Sequence, residues 1–258
     1  MIKISVVIHT YNAEKYLERC IMSVLDADEI LICDMYSTDS TIEIAQKYNC
    51  KIVYHENTGF AEPARDFANN QVSSDYLLVL DSDEYASKGL IKCLKEFLSK
   101  DTEINGVQIP YHNEILGKVL NSYSKPGIFR FFKKGKVHYE PVVHAAPEVP
   151  GKIVYLPKNT GEYITHTMVD DISAHMNKWN HYTDLEVEKA VQRGKKYSLS
   201  KLLMRPLGEF VKLYFLKGGI TDGVRGYMYA IIGAHYKFMQ IVKIWNYERL
   251  HSESDKNY

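Results

Sequence analysis

The amino-acid sequence predicts an α/β protein: a mostly parallel sheet covered by helices on both faces, followed by a helical C-terminal region. Three observations carry this. Short β-branched apolar runs alternate with segments of helical period through the first hundred residues. Runs punctuated by Gly and Pro replace that alternation from Asn105 to about Tyr155. After Thr167 the chain reads as helix.

Taken in order, Ile2–Ile8 is a buried strand, and Asn12 is placed to cap the segment Ala13–Leu25. There Leu17, Cys20, Ile21, Val24 and Leu25 form an apolar face at helical spacing. Glu29–Cys33, Lys51–Tyr54 and Tyr76–Leu80 read as further strands, with helices at Ser40–Tyr48 and Glu62–Val72 between them. Ser87 caps a helix reaching about Leu98. Val107–Ile109, Ile128–Phe132, Val142–Val143 and Ile153–Leu156 are short added strands, partly antiparallel. Helices follow at Asp171–Val191, Lys201–Leu216 and, past the Gly218-Gly219 break, Gly223–Leu250. The division is an α/β body, residues 1–168, and a helical region, residues 169–258.

Composition fits a soluble globular chain of 258 residues, 45% hydrophobic and 25% charged. The zero net charge hides an asymmetry. Residues 1–194 hold 21 Lys and Arg against 27 Asp and Glu, and residues 195–258 hold 11 against 5. An acidic body with a basic tail points to an anionic partner for the tail. Cys20, Cys33, Cys50 and Cys93 lie far apart, without metal-ligand spacing, and read as reduced core residues. The run Ile4–Ile8 is too short for a secretory leader, and no stretch reaches the roughly 18 apolar residues of a spanning helix. A cytoplasmic location is expected, and nucleic acid is not an expected partner. The segment Gly223–Leu250 is too polar to span, yet carries Tyr227, Ile231, Phe238 and Trp245 with Lys237, Lys243 and Arg249. An interfacial helix on an anionic membrane is the reading, with core packing or a homodimer contact as the other uses of the same residues.

Candidate ligand groups fall where predicted strands end: His9–Asn12, Asp34, and Asp81-Ser82-Asp83-Glu84. In open α/β sheets ligands bind beyond the carboxyl ends of the strands. Carboxylates spaced i, i+2 after a buried run are placed to share a hard divalent cation, which keeps phosphate and water in its other positions.

The residues Ser5-Val6-Val7-Ile8-His9-Thr10-Tyr11-Asn12, Ile32-Cys33-Asp34-Met35-Tyr36-Ser37-Thr38-Asp39, Gly59-Phe60-Ala61, Ala64-Arg65-Asp66 and Leu78-Val79-Leu80-Asp81-Ser82-Asp83-Glu84 resemble family 2 glycosyltransferases with the Rossmann-like GT-A fold. The tail resembles the bacterial subgroup that builds lipopolysaccharide cores. The resemblance implies a nucleotide-sugar donor, a UDP-linked hexose, and inverting transfer to a lipopolysaccharide-core, other glycan or lipid-linked acceptor. It implies Mn²⁺ or Mg²⁺ as cofactor. Thr10, Tyr11 and Asn12 would lie at uracil and ribose, Asp34 would accept the uracil N3–H, and Arg65 would reach the diphosphate. Asp83 would ligate the metal, Asp81 would contact ribose, sugar or metal, and His166 would be a further ligand. The subgroup's Val-His-Glu triplet stands here as Val143-His144-Ala145, so the general base falls to Glu148, Asp170, Asp171 or His144 itself. Other readings of the same layout are a sugar-1-phosphate nucleotidyltransferase and a non-catalytic carbohydrate-binding protein. The first is opposed by the glycine-free loop His9–Glu14, the second by the presence of Asp34, Arg65 and Asp83 together.

Overall fold

The computed structural model describes residues 2–57, 62–140 and 146–254. The motif Gly59-Phe60-Ala61, the expected strand Val142–Val143 and the candidate base His144 lie outside them. The chain forms two compact units: Met1–His112 with Lys125–Thr167, and Asn113–Ser124 with Met168–Tyr258.

The first unit begins with β1 (Ile4–Thr10), α1 (Leu17–Met22), β2 (Glu29–Asp34), α2 (Thr41–Lys47), β3 (Lys51–Tyr54), α3 (Glu62–Asn70) and β4 (Tyr76–Asp81). Then come β5 (Glu84–Ala86), α4 (Leu90–Ser99), β6 (Ile104–Ile115), β7 (Lys118–Lys133), β8 (Lys152–Tyr155) and β9 (Ile164–Val169). They make one mixed sheet in the order β3-β2-β1-β4-β7-β6-β9-β5, with β8 beside β6. β1 pairs in parallel with β2 and β4, and β2 with β3. β4 meets β7 antiparallel, as β5 meets β9.

β1 is buried along its whole length. Ile4, Val6 and Ile8 pack with Leu78, Leu80 and Leu94 in one cluster, while Val7 packs with Leu31, Val79, Ala64 and Ala68 in another. Cover on both faces is why these strands read as continuous apolar runs. The parallel register sets His9 beside both Cys33 and Asp81, and Thr10 beside Asp34. Three strand ends thus bring their polar residues into one line.

Local differences from the sequence expectation have local causes. α1 starts at Leu17 after Tyr16, because Asn12 adopts φ 47° and its side chain accepts from the Thr38 amide at 2.8 Å. α4 is preceded by Gly89, and the Ser87 hydroxyl is drawn to Glu162. Of the short runs expected after Asn105, Val107–Ile109 and Ile128–Phe132 are parts of one long hairpin, β6 and β7, of 12 and 16 residues, while Ile153–Leu156 falls on β8. Its two-residue turn, Leu116-Gly117, has φ 50° and 73°, the left-handed pair of a tight hairpin turn. Leucine is disfavoured there, which hid the turn in the sequence.

The tip of that hairpin belongs to the second unit, with α5 (Ile172–Gln192), α6 (Leu199–Val211) and α7 (Gly223–Ser254). Asp171 caps α5, accepting from the Ala174 amide at 2.8 Å. Buried Asp222 accepts from the amides of Asn121 and Ser122, both at 3.0 Å, and ties the α6–α7 connection to the hairpin tip. The Gly218-Gly219 break is a close backbone crossing, since a Cβ on Gly226 would stand 2.0 Å from the Gly219 carbonyl oxygen.

α7 is apolar on more than one side, since Tyr227, Ile231, Phe238 and Trp245 are exposed. It buries Tyr229, Ala230, Ile241 and Ile244. Its Lys243 turns inward to Asp184 at 2.6 Å, the Thr183 hydroxyl and the Asn180 carbonyl. A lysine with three partners on α5 holds two helices together and is not available to lipid. No helix among the described residues is long and apolar enough to cross a membrane.

Candidate active site

β4 delivers Asp81 to the sheet's carboxyl edge, where two arginines converge on it. Arg65, from α3, donates to Oδ1 at 2.7 Å, and Arg130, from β7, donates to Oδ2 at 2.6 Å. The same Arg130 nitrogen donates to Glu84, the first residue of β5. Glu84 also accepts from the Tyr111 hydroxyl at 2.6 Å and from the Asp81 amide at 3.1 Å. Glu84 is therefore the inner brace of the turn, and Arg65 pairs across the fold with Asp81.

Asp83 faces the other way. Its Oδ2 lies 3.4 Å from His166 Nε2 on β9, and its carbonyl accepts from the Thr167 amide at 2.9 Å. The antiparallel pairing of Glu84 with His166 forces this juxtaposition across 82 residues. The His166 ring lies over Tyr111 at 5.9 Å.

The charges are sharply differentiated. Burial works to raise the Asp81 pKa, but the guanidinium groups of Arg130 and Arg65 outweigh it and hold the carboxyl well below its usual range. Burial lifts Glu84 above the usual carboxylate range against the pull of Arg130, with Asp81 and Asp83 adding to the rise. His9 is pulled down to about 3 by burial, then by Arg65, and is neutral. For His166 burial pulls downward, but the hydrogen bond and charge of Asp83 prevail and the net shift is upward. Arg65 Nη1 and Arg130 Nε are buried without a hydrogen-bond partner among the described residues. Unpaired guanidinium donors beside a carboxylate are what a site for a further anion leaves behind.

At the β1–β2 end the arrangement differs from expectation. Asp34 is 0% exposed. It accepts from the Thr10 hydroxyl at 2.8 Å, the Ser37 amide at 2.8 Å and the Ser37 hydroxyl at 2.6 Å. Its carboxylate is held by its own loop. Thr10 is buried with it, whereas Tyr11 and Asn12 point outward. Exposed Tyr36 stacks on Tyr54 at 5.4 Å, an aromatic pair above this anchor. Asp34→Ala strands three donors, one on buried Thr10 and two on half-buried Ser37. At about 1–3 kcal/mol for a buried unsatisfied group, a loss of roughly 2–4 kcal/mol is expected as a fall in Tm. An unchanged Tm with weakened nucleotide binding would instead return Asp34 to a pure ligand role.

Of the expected bases, Glu148 is exposed and bridged through its backbone to His138. It lines a hollow with Gly135, Lys136 and Val149 in which none of Asp81, Asp83, Arg65 or Arg130 takes part. Asp171 is engaged as a helix cap. Asp170 follows β9 directly, within the second unit.

The profile of glycosyl transferase family 2 matches residues 5–146, more than half of the chain. This chain belongs to that family. The matched stretch holds Arg65, Asp81, Asp83, Glu84, Tyr111 and Arg130, and His166 lies beyond it. The glycosyltransferase is 28% identical over 246 residues to the lipopolysaccharide core biosynthesis glycosyltransferase LpsC of Rhizobium meliloti, covering 91% of this chain and 88% of that protein. It is 26% identical over 260 residues to an uncharacterized glycosyltransferase of Rickettsia conorii, with 94% and 89% covered. The crystal structure of residues 1–349 of Staphylococcus aureus TarS in complex with UDP-GlcNAc shares the fold, with TM-score 0.53, 16% identity, and 97% and 92% of the two chains covered.

Sequence reasoning missed Arg130 and Tyr111 as members of this site. Arg130 left a signal: a lone cation inside the apolar run Ile128–Phe132 demands a buried counter-charge. Tyr111 left none.

Proposed function

We propose that this transferase moves a hexose from a UDP-linked donor to a lipopolysaccharide-core or other surface-glycan acceptor, with inversion, in the presence of Mn²⁺ or Mg²⁺. The observation that carries it is the split of the acidic turn: Asp81 and Glu84 are braced by arginines, and Asp83 is left facing His166. One carboxylate and one imidazole suit a divalent ion that takes its remaining ligands from phosphate and water. No group of three or more such side chains occurs among the described residues, so the donor's diphosphate would complete the site. With the ion held by Asp83 and His166, a positive charge faces the leaving diphosphate.

The chain's own residues supply the rest. Arg65, already lodged at the strand edge with an unpaired Nη1, binds a diphosphate oxygen, and its planar charge stabilises the leaving group more as negative charge grows. Asp81 anchors the donor's ribose or sugar. Tyr11, Asn12 and the Tyr36–Tyr54 pair receive the base, on the loop that Thr10, Asp34 and Ser37 hold in place. Asp170, the residue next after β9, takes the acceptor's proton as general base. Attachment to an anionic membrane is part of this reading, and supports an acceptor anchored in lipid.

A thermal-shift panel of nucleotide sugars, with and without Mn²⁺, tests the donor. At a hundredfold excess over Kd a ligand specific to the folded state adds about 2.7 kcal/mol. A UDP-sugar should shift Tm only with the ion present; a shift confined to another nucleotide, or indifferent to chelator, would overturn that half of the reading. Asp170→Asn should lower turnover by about 10²–10⁴ and leave UDP binding unchanged.

A further inference from the structure

α6 has two very different sides. Leu202, Pro206, Glu209 and Phe210 are half-buried, whereas Leu199, Leu203 and Leu207 recur every fourth residue fully outside, Leu203 being 63% exposed. No residue of α6 is buried. The apolar surface continues past the helix through Phe215, Leu216 and Ile220 and into the first turn of α7 at Val224. Leu216 and Val224 are 79% and 74% exposed. Scattered exposed leucines need no explanation, but an unbroken stripe over six turns of chain marks a surface that meets something apolar.

Its border is basic. Lys201, Arg205 and Lys212 share one flank of α6, and Lys217 and Arg225 extend it, all exposed. The two acids of this stretch are spent inward: Glu209 is half-buried and pairs with Lys212 at 3.2 Å, and Asp222 is buried against the Asn121 and Ser122 amides. A cavity at the start of α6 adds Lys189, Arg193 and Lys195 to Arg205 above a floor of Ile241 and Ile244. An apolar stripe with a basic flank matches an anionic lipid surface, whose headgroups meet the charges while its acyl boundary takes the leucines. A second copy of this chain fits poorly, because a two-fold contact would set the same five cations against each other.

We infer that α6 and the segment through Val224, in the first turn of α7, form the face that seats this chain on an anionic bilayer. The inference rests on the reading that the protein works at such a membrane, and it assigns the surface. Leu199 and Leu203 enter the acyl boundary, and Lys201 and Arg205 lie along the headgroups.

Sedimentation with vesicles of phosphatidylcholine and phosphatidylglycerol, at low salt, tests it with the full chain. Leu203→Glu/Leu207→Glu should weaken partitioning tenfold or more, and Lys201→Glu/Arg205→Glu severalfold, the latter mimicked by added salt. Because all four side chains are exposed, Tm should be unchanged. Met22→Glu/Leu25→Glu, at exposed apolar positions of the first unit, should partition like wild type. If the intact chain ignores anionic vesicles, the membrane reading and this face fall together. If it binds but the α6 variants bind equally, the reading stands and the assignment of the face is overturned. A dimer in solution that Leu203→Glu/Leu207→Glu converts to monomer, with vesicle binding intact, would overturn it as well.

Discussion

Asp83→Asn should abolish metal-dependent UDP binding and lower turnover by about 10²–10³ or more, the usual cost of removing one group that stabilises developing charge. The fold should survive, because the side chain is about a third exposed and its ion pair among the described residues is with His166. Asp81→Asn offers the contrast. It too should damage turnover, but it removes the partner of both Arg65 and Arg130 and should lower Tm. His166→Ala should weaken Mn²⁺-dependent binding less than Asp83→Asn. Calorimetry with UDP, with and without Mn²⁺, separates these cases. Unchanged UDP affinity in Asp83→Asn would remove it from the metal site.

Arg130→Met should produce the largest stability loss at this site. It leaves Glu84, 1% exposed, without its counter-charge beside an ionised Asp81. Breaking a buried pair by removing one partner costs about 3–5 kcal/mol. At ~2–4 °C per kcal/mol for a chain of this size, Tm should fall by roughly 10 °C. Glu84→Gln added to Arg130→Met should recover much of this, since the stranded charge is gone and Asp81 keeps Arg65. If the double variant is no more stable than Arg130→Met, an uncompensated Glu84 is not the cause.

The pH dependence has a definite sign, measured in chelator. A carboxyl whose folded pKa lies above its unfolded value of about 4.3 contributes fully below that value and loses the contribution as pH rises through the folded pKa. Glu84 is such a group, and more so without Arg130, so the variant's deficit should shrink as pH falls from neutral toward about 5. Asp81 is depressed, and its contribution holds above about 3.9 and fades as pH falls through its folded value. The comparison is therefore made above that range.

The strand ends were legible because their cause is local. A strand buried on both faces must be apolar until it reaches solvent, so His9, Asp34 and Asp81 announce themselves as the first polar residues after Ile4–Ile8, Glu29–Cys33 and Tyr76–Leu80. The long hairpin was not legible, because its turn uses a leucine at φ 50°, a conformation leucine adopts only under tertiary constraint. Nor was β5, a three-residue strand whose pairing with β9 lies far along the chain.

The same limit divides the functional residues. From the sequence alone came the family resemblance, the acidic turn, the carboxyl edge of the sheet and the basic tail. Tertiary structure decided that Asp34 is turned into its own loop by Thr10 and Ser37, and that Arg65 and Arg130 close on Asp81 from elements 16 and 49 residues away. It also decided which amphipathic helix is covered. α6 and α7 both alternate apolar and basic residues, yet Lys243 is taken up by α5 while Lys201 and Arg205 stay at the surface. Periodicity records that a helix has an apolar side. Whether that side is buried depends on the elements packed against it, and those are chosen by contacts distant in sequence.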